Sequence, residues 1–131
     1  MTVFCTYCSA KKKKASKPVP AVELYVSNRI DSTHQASKQV GLDFCILSGK
    51  YGLLDADDTI NTYDHLLVQE EIVTHAKIVA NQIQQKNIKT IIFFHIPTSV
   101  DKYNKAYIDC IKLAADLSNT ELSLVEITIP E

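Results

Sequence analysis

One stretch of the sequence concentrates side chains that could do chemistry. An apolar run over residues 44–47 leads directly into a polar loop, as when a buried strand delivers functional groups to a surface. An ammonium group suits a phosphate, phenol rings suit a nucleobase, and a carboxylate suits a ribose hydroxyl or a sugar carbon. From this stretch we predict Lys50 and Asp64 as catalytic residues, and Ser48, Gly49, Tyr51 and Tyr63 as ligand-binding residues.

The loop is not a phosphate-binding P-loop. The pattern G-x-x-x-x-G-K-[ST] would need Gly at position 44, which is Phe44, and Ser or Thr where Tyr51 stands. A structural interpretation also stays open: Asp55-Ala56-Asp57-Asp58 is typical turn chemistry, and Tyr63 would then pin the loop to the core.

Three further candidates follow other predicted strands or lie close to them. Ser9 comes after the first strand and is expected at the same sheet edge as Ser48 and His95; the resemblance described below implies its catalytic role. Tyr25 and His95 are predicted as ligand-binding residues. A His in a strand is more often a hydrogen-bonded structural residue. The run Lys11 to Lys14 has two interpretations: a solvated, mobile loop, or a loop that attracts phosphate at the carboxyl end of a strand.

Length and composition indicate a single α/β domain over residues 1–131. The chain is 46% hydrophobic and has a net charge of -1, so it has no global attraction for nucleic acid or an anionic membrane. It shows neither a leader pattern nor an apolar run near the ~20 residues of a membrane span. We therefore expect a cytoplasmic protein without membrane association; nothing in the sequence predicts an oligomeric state.

The four cysteines do not form a metal or redox motif. Cys5 and Cys8 make a C-x-x-C within or at the end of a predicted strand, where extended backbone separates them beyond disulfide reach unless the chain turns. No second pair completes a zinc site, and the acids at 55–58 do not match a calcium loop. We predict buried thiols, no metal and no cofactor.

Apolar periodicity predicts the elements that position these residues. Strands are predicted over 2–8 (central and parallel), 42–48, 90–96 and 122–129 (an edge), and helices over Asn28 to Gln39 ending at Gly41, Leu67 to Lys86 closed by Asn87, and Val100 to Leu117 capped by Ser99. His75 is expected to be solvated on the second long helix. The order favours a three-layer, Rossmann-like α/β sandwich with a mainly parallel sheet of about four strands.

The motif resembles a known group of proteins. Cys8-Ser9 with the following lysines, Pro20-Ala21, Leu24-Tyr25, Ile46 to Asp55 and Ile60 to Asp64 look like small bacterial and phage proteins of unknown function. Their central motif reads Leu-Ser-Ala-Lys-Tyr-Gly-Leu followed by Pro-Tyr-Asp, with Gly49 and Thr62 as the departures here. A more distant likeness is to peroxide-stress DNA-binding proteins of the YaaA type, which usually have an apolar residue at Lys50 and Arg at Asp64.

The resemblance implies a site of Ser9, Lys50, Tyr51, Tyr63 and Asp64 and a role in nucleotide or nucleic-acid metabolism. The leading hypothesis is a domain that binds a nucleoside, nucleotide or nucleic-acid base, or acts on it as a glycosidase- or transferase-type enzyme. One alternative is a non-enzymatic DNA-binding or stress-response protein, whose binding would be sensitive to salt. Another is a purely structural or protein-binding domain.

Overall fold

A computed structural model describes residues 1–129 as a mixed α/β domain built on a five-stranded sheet. The strands are β1 (Thr2–Tyr7), β3 (Asp43–Ser48), β4 (Gly52–Asp55), β6 (Thr90–His95) and β7 (Glu121–Glu126), in the order β4-β3-β1-β6-β7. β1 is parallel to β3 and β6, and β7 is parallel to β6 at the edge. The predicted mainly parallel sheet of about four strands, with β1 central and the last strand at an edge, is confirmed.

Helices cover the sheet as its outer layers. They are α1 (Ala21–Leu24), α2 (Asn28–Val40), α3 (Ile72–Gln85) and α4 (Asn104–Ser118), with a 3₁₀ turn at Gln69–Glu71. α2 packs on β1 and β3, while α3 and α4 pack against each other on the opposite face. A small antiparallel pair, β2 (Val19–Pro20) and β5 (Thr59–Ile60), lies beside the main sheet. No helix within residues 1–129 is long and apolar enough to cross a membrane.

Local sequence accounts for both ends of α2 and for the end of α3. The Ser27 side chain accepts a hydrogen bond from the Ile30 amide and caps α2, and Gly41 ends it with a φ of 73°. Asn87 follows α3 with a φ of 58°, as predicted. The start of α3 comes later than predicted, because the chain first forms the 3₁₀ turn at Gln69–Glu71.

The predicted cap of the last helix is wrong. α4 begins at Asn104, and Ser99 lies before it in an exposed loop. The amides of Val100 and Asp101 both donate to the Pro97 carbonyl, which turns the chain there and delays the helix. Residues 97–103 therefore stay outside the helix as a loop, and this loop forms a wall of the cleft described below.

The sequence interpretation also missed strand β4. Residues 52–55 look like loop because two glycines precede two leucines, but they pair antiparallel with β3, and Leu53 and Leu54 are buried. The reversal needs Gly52, whose φ is 77° and whose missing Cβ leaves room for the Gln82 carboxamide. That carboxamide accepts from the Leu53 amide at 2.7 Å and holds the hairpin against α3.

Candidate functional site: a divided cleft at the carboxyl edge of the sheet

A large cavity of the described chain lies at the carboxyl ends of β1 and β6. These strands flank the point where the strand order changes direction, the position at which open α/β sheets bind ligands. The cavity, here called the main cleft, has a volume of about 1110 Å³. Tyr7, Cys8 and Ile96 line it at the strand ends, and residues 9–13, 25–29 and 99–103 contribute to its walls.

A second, smaller cavity adjoins the main cleft. This small hollow has a volume of about 450 Å³ and is lined by Gly49, Lys50, Tyr63, Asp64 and His65. Asp64 and His65 also line the main cleft, so they form the wall between the two cavities. A ligand that extends from one cavity into the other would pass the Asp64 carboxylate.

The structure brings most of the predicted site residues together. Ser9, Tyr25 and Asp64 line the main cleft, and Gly49, Lys50, Tyr63 and Asp64 line the small hollow. The other three predicted residues, Ser48, Tyr51 and His95, line neither cavity. The Ser9 hydroxyl donates to the Lys11 carbonyl at 2.7 Å, and His95 bonds through Nδ1 to the Ile96 carbonyl at 2.9 Å.

Ser48 fixes the shape of the Lys50 turn. Its side chain is fully buried, and its Oγ accepts from the Lys50 amide at 3.1 Å and the Tyr51 amide at 3.0 Å. The His75 ring bonds through Nε2 to the Ser48 carbonyl at 2.8 Å, and because a carbonyl only accepts, Nε2 carries the hydrogen. The expectation that His75 is solvated is therefore wrong: its ring is 7% exposed and holds the hairpin from α3.

Gly49 lets two loops approach each other closely. A Cβ added there would lie 3.0 Å from the His65 carbonyl and 3.1 Å from the Leu67 amide nitrogen. The Tyr107 hydroxyl, which accepts from the Leu67 amide, would also be 3.0 Å away. Gly49 thus allows residues 63–67 to pack on the Lys50 turn, which places Tyr63 and Asp64 beside Lys50.

Three hydroxyl groups form a chain under the site. The Tyr25 and Tyr63 hydroxyl oxygens are 2.6 Å apart, and the Tyr63 hydroxyl is 2.7 Å from the Ser48 Oγ. Burial raises the pKa of both tyrosines, and the neighbouring Cys8 thiol acts in the same direction. Both phenols are therefore protonated and neutral at physiological pH, so each has one hydrogen to donate.

Two lysines from separate loops approach the Tyr63 ring. The Lys12 Nζ is 4.5 Å from the ring centroid and the Lys50 Nζ is 6.0 Å from it. Neither ammonium has a carboxylate partner within residues 1–129. The Lys12 backbone bridges to Tyr25, and the Lys13 amide donates to the Leu24 carbonyl at 2.7 Å, so hydrogen bonds hold this part of the lysine run in place.

Sequence reasoning missed a polar cluster at the cleft floor. The buried Arg29 guanidinium lies 3.6 Å from the Tyr7 ring centroid and donates to the Tyr7 carbonyl at 2.6 Å. The Tyr7 hydroxyl donates to the Asp101 carboxylate at 3.1 Å and accepts from the Asn104 side-chain Nδ2 at 3.3 Å. The only sequence signal was an arginine two residues after a helix cap, and nothing in that spacing reveals a contact with β1.

The described residues contain no group of three or more His, Cys, Asp or Glu side chains that could hold a metal ion. All four cysteines are buried free thiols. The predicted buried thiols are confirmed. Burial raises the pKa of Cys45 and of Cys110 to about 12, so these two thiols are poor nucleophiles at neutral pH.

Comparison with known proteins gives a family but no activity. No curated protein and no solved structure matches the chain. The resemblance to YaaA-type proteins therefore stays a prediction. A family model described as a family of unknown function, DUF6884, matches residues 5–129, a range that includes both cavities and the sheet beneath them. The protein belongs to this family of unknown function.

Proposed function

We propose that the protein binds a nucleotide, free or as part of a nucleic acid, across the main cleft and the small hollow. The observation that carries this proposal is the placement of Lys12 and Lys50 around one tyrosine ring, without carboxylate partners in the described chain. Two such ammonium groups suit a phosphate. Asp64 lies in the wall between the two cavities, and its carboxylate suits the sugar that is bonded to this phosphate.

The rim of the main cleft suits the base. Tyr103 is 57% exposed and Val100 is 73% exposed, and both line this cleft. An exposed ring with an apolar neighbour beside charged groups is a surface on which a nucleobase can stack. The phosphate, the sugar and the base thus each have a matching part of the site.

We further propose that Asp64 acts on the sugar as the nucleophile of a glycosidase-type reaction. Its side chain is exposed in the wall shared by the two cavities and makes no ion pair within residues 1–129. Attack of the carboxylate on the anomeric carbon forms a glycosyl ester and breaks the bond to the base, which takes a proton from water. Hydrolysis of the ester then releases the sugar and restores Asp64.

Isothermal titration with AMP tests the binding proposal. Lys50→Ala is expected to weaken AMP binding about tenfold, because a hydrogen bond to a charged group contributes about 1.5 kcal/mol or more. Lys112→Ala is the matched control, since Lys112 is exposed on α4 and lines neither cavity. Absence of AMP binding by the native protein, or equal affinity in both variants, would overturn the proposal.

Release of free base from nucleosides and nucleotides, followed by chromatography, tests the enzymatic step. Asp64→Asn is expected to abolish release while retaining AMP binding. Asp57→Asn is the control, because Asp57 is an exposed acid outside both cavities. Equal release by native protein and Asp64→Asn would exclude Asp64 as the nucleophile, and no release by native protein would leave a binding domain.

The lysine run lies at the rim of the main cleft, and this position supports DNA binding as a second candidate function. Lys11, Lys12 and Lys13 line the main cleft, and Lys14 is exposed next to them. Each phosphate of a single strand that these ammonium groups neutralise should steepen the slope of log affinity against log salt by about 0.7. Lys13→Gln with Lys14→Gln should therefore lower both the affinity for a single-stranded oligonucleotide and this slope; an unchanged slope would exclude the run as its binding surface.

A further inference from the structure

The hydroxyl chain of Tyr25, Tyr63 and Ser48 has a direction. A serine oxygen has two lone pairs and one hydrogen, and the Lys50 and Tyr51 amides already occupy both lone pairs of Ser48. Ser48 must therefore donate its hydrogen to the Tyr63 oxygen, its other partner, at 2.7 Å. Tyr63 in turn donates to the Tyr25 oxygen at 2.6 Å.

The chain ends with one unused hydrogen. Because the Tyr25 oxygen accepts from Tyr63, its own hydrogen points elsewhere, and no acceptor for this hydrogen lies within hydrogen-bonding geometry among residues 1–129. The nearby Cys8 thiol donates to the Tyr107 hydroxyl at 3.6 Å and makes no hydrogen bond with Tyr25. Tyr25 is 2% exposed and lines the main cleft, so a buried donor without an acceptor lies at the cleft wall.

A positive charge accompanies this donor. The Lys12 Nζ lies 5.7 Å from the centroid of the Tyr25 ring, and the Lys12 backbone bridges to Tyr25. A lysine attracts an anion without fixing its orientation, whereas an oriented hydroxyl provides direction. Burial raises the pKa of Tyr25, so it also remains a donor in mildly alkaline solution.

We propose that the Tyr25 hydroxyl donates a hydrogen bond to a phosphate oxygen of the ligand, held beside the Lys12 ammonium, and that the Ser48 turn orients it through Tyr63. This inference rests on the proposed nucleotide binding and adds to it the place and orientation of the phosphate. Because the same turn presents Lys50, the oriented donor and the Lys50 ammonium are fixed by one structural element.

The test compares three probes: AMP, inorganic phosphate and adenosine. Tyr25→Phe keeps the ring and removes the hydroxyl, together with its bond to Tyr63. It is expected to weaken the binding of AMP and of inorganic phosphate about tenfold or more, while adenosine binding stays unchanged. A 5′-phosphorylated oligonucleotide and its dephosphorylated form distinguish a free nucleotide from a strand end. Ser118→Ala, which removes a hydrogen-bonded hydroxyl outside both cavities, is the control and should alter no affinity.

The outcomes separate this inference from the proposed function. The inference is overturned if Tyr25→Phe leaves the phosphate affinity unchanged or lowers the affinity for adenosine by the same factor, even where Lys50→Ala still weakens AMP binding. Failure of the native protein to bind any probe overturns both. If Tyr25→Phe does not fold, Tyr63→Phe takes its place, because it keeps the Tyr25 donor but removes the group that orients it. This variant should bind phosphate more weakly than the native protein does, and adenosine with the same affinity. A phosphate affinity equal to that of the native protein would overturn the inference.

Discussion

Substitution of Tyr63 by Phe tests the hydroxyl chain through protein stability. The change keeps the ring, with its packing against Tyr51 and Lys12, and removes the bonds to Tyr25 at 2.6 Å and Ser48 at 2.7 Å. At about 1 kcal/mol net for each bond, the free energy of unfolding should fall by about 2 kcal/mol. For 131 residues, an unfolding entropy of about 2.1 cal/mol/K per residue converts this to a melting temperature about 7 °C lower.

Urea unfolding of matched variants measures this loss. Tyr51→Phe is the control, because the Tyr51 hydroxyl makes one bond, at 3.2 Å in an exposed position, and its removal should change stability by no more than about 0.5 kcal/mol. The double variant Tyr25→Phe with Tyr63→Phe should show a coupling of about 1 kcal/mol, since the two hydroxyls share a bond. A loss in Tyr63→Phe no larger than that of the control, or strict additivity in the cycle, would refute the chain.

Three further predictions concern the scaffold. Gly52→Ala should destabilise the protein by about 2 kcal/mol or more in urea unfolding, because its φ is 77° and a Cβ there would overlap the Gln82 carboxamide; native-like stability would contradict this conformation. Burial lowers the pKa of Lys86, but the hydrogen bond and charge of Asp55, 3.0 Å away, outweigh it and raise the pKa above its usual 10.5. A raised lysine pKa adds stability below the unfolded value that is lost as pH rises through the folded one. Lys86→Met should therefore cost less than about 1 kcal/mol from pH 7 to 9 and nothing well above pH 11, and a difference that grows with alkalinity would contradict the ion pair. Cys45, with a pKa of about 12, should react with a thiol reagent at pH 8 only after denaturation, so rapid labelling of the native protein at Cys45 would be inconsistent with its burial.

The fold was largely predictable because its buried surfaces follow regular periods. Ile72, Ala76, Val79 and Ile83 recur at helical spacing and are all buried on α3, and the nearly continuous apolar run at 90–96 became a strand next to β1. Strand β4 was not predictable in this way. The glycines at 49 and 52 are typical of a loop, and the hairpin that β4 forms with β3 is held by Gln82, a residue far along the chain.

Six of the nine residues predicted for the site line one of the two cavities, but the sequence did not show what each side chain contacts. Lys50, Tyr63 and Asp64 do converge on one hollow. Ser48 was predicted to contact a ligand, yet it is fully buried and its bonds hold the turn. His75 was expected in solvent because it lies on or near the polar side of its helix, and its contact with the Ser48 carbonyl depends on how α3 packs on the hairpin. Arg29 could not be predicted at all, since only the packing of α2 on β1 brings its guanidinium over Tyr7.

The most direct test of the central claim is a titration of ¹⁵N-labelled protein with AMP, followed by amide chemical shifts. If a nucleotide binds across the divided cleft, shift changes should concentrate in residues 11–13, 25–29, 49–50, 63–66 and 99–103, which line the two cavities. The exposed face of α3 and the edge strand β7 should stay unchanged. Absence of any shift at millimolar AMP, or changes confined to α3 and β7, would contradict the account.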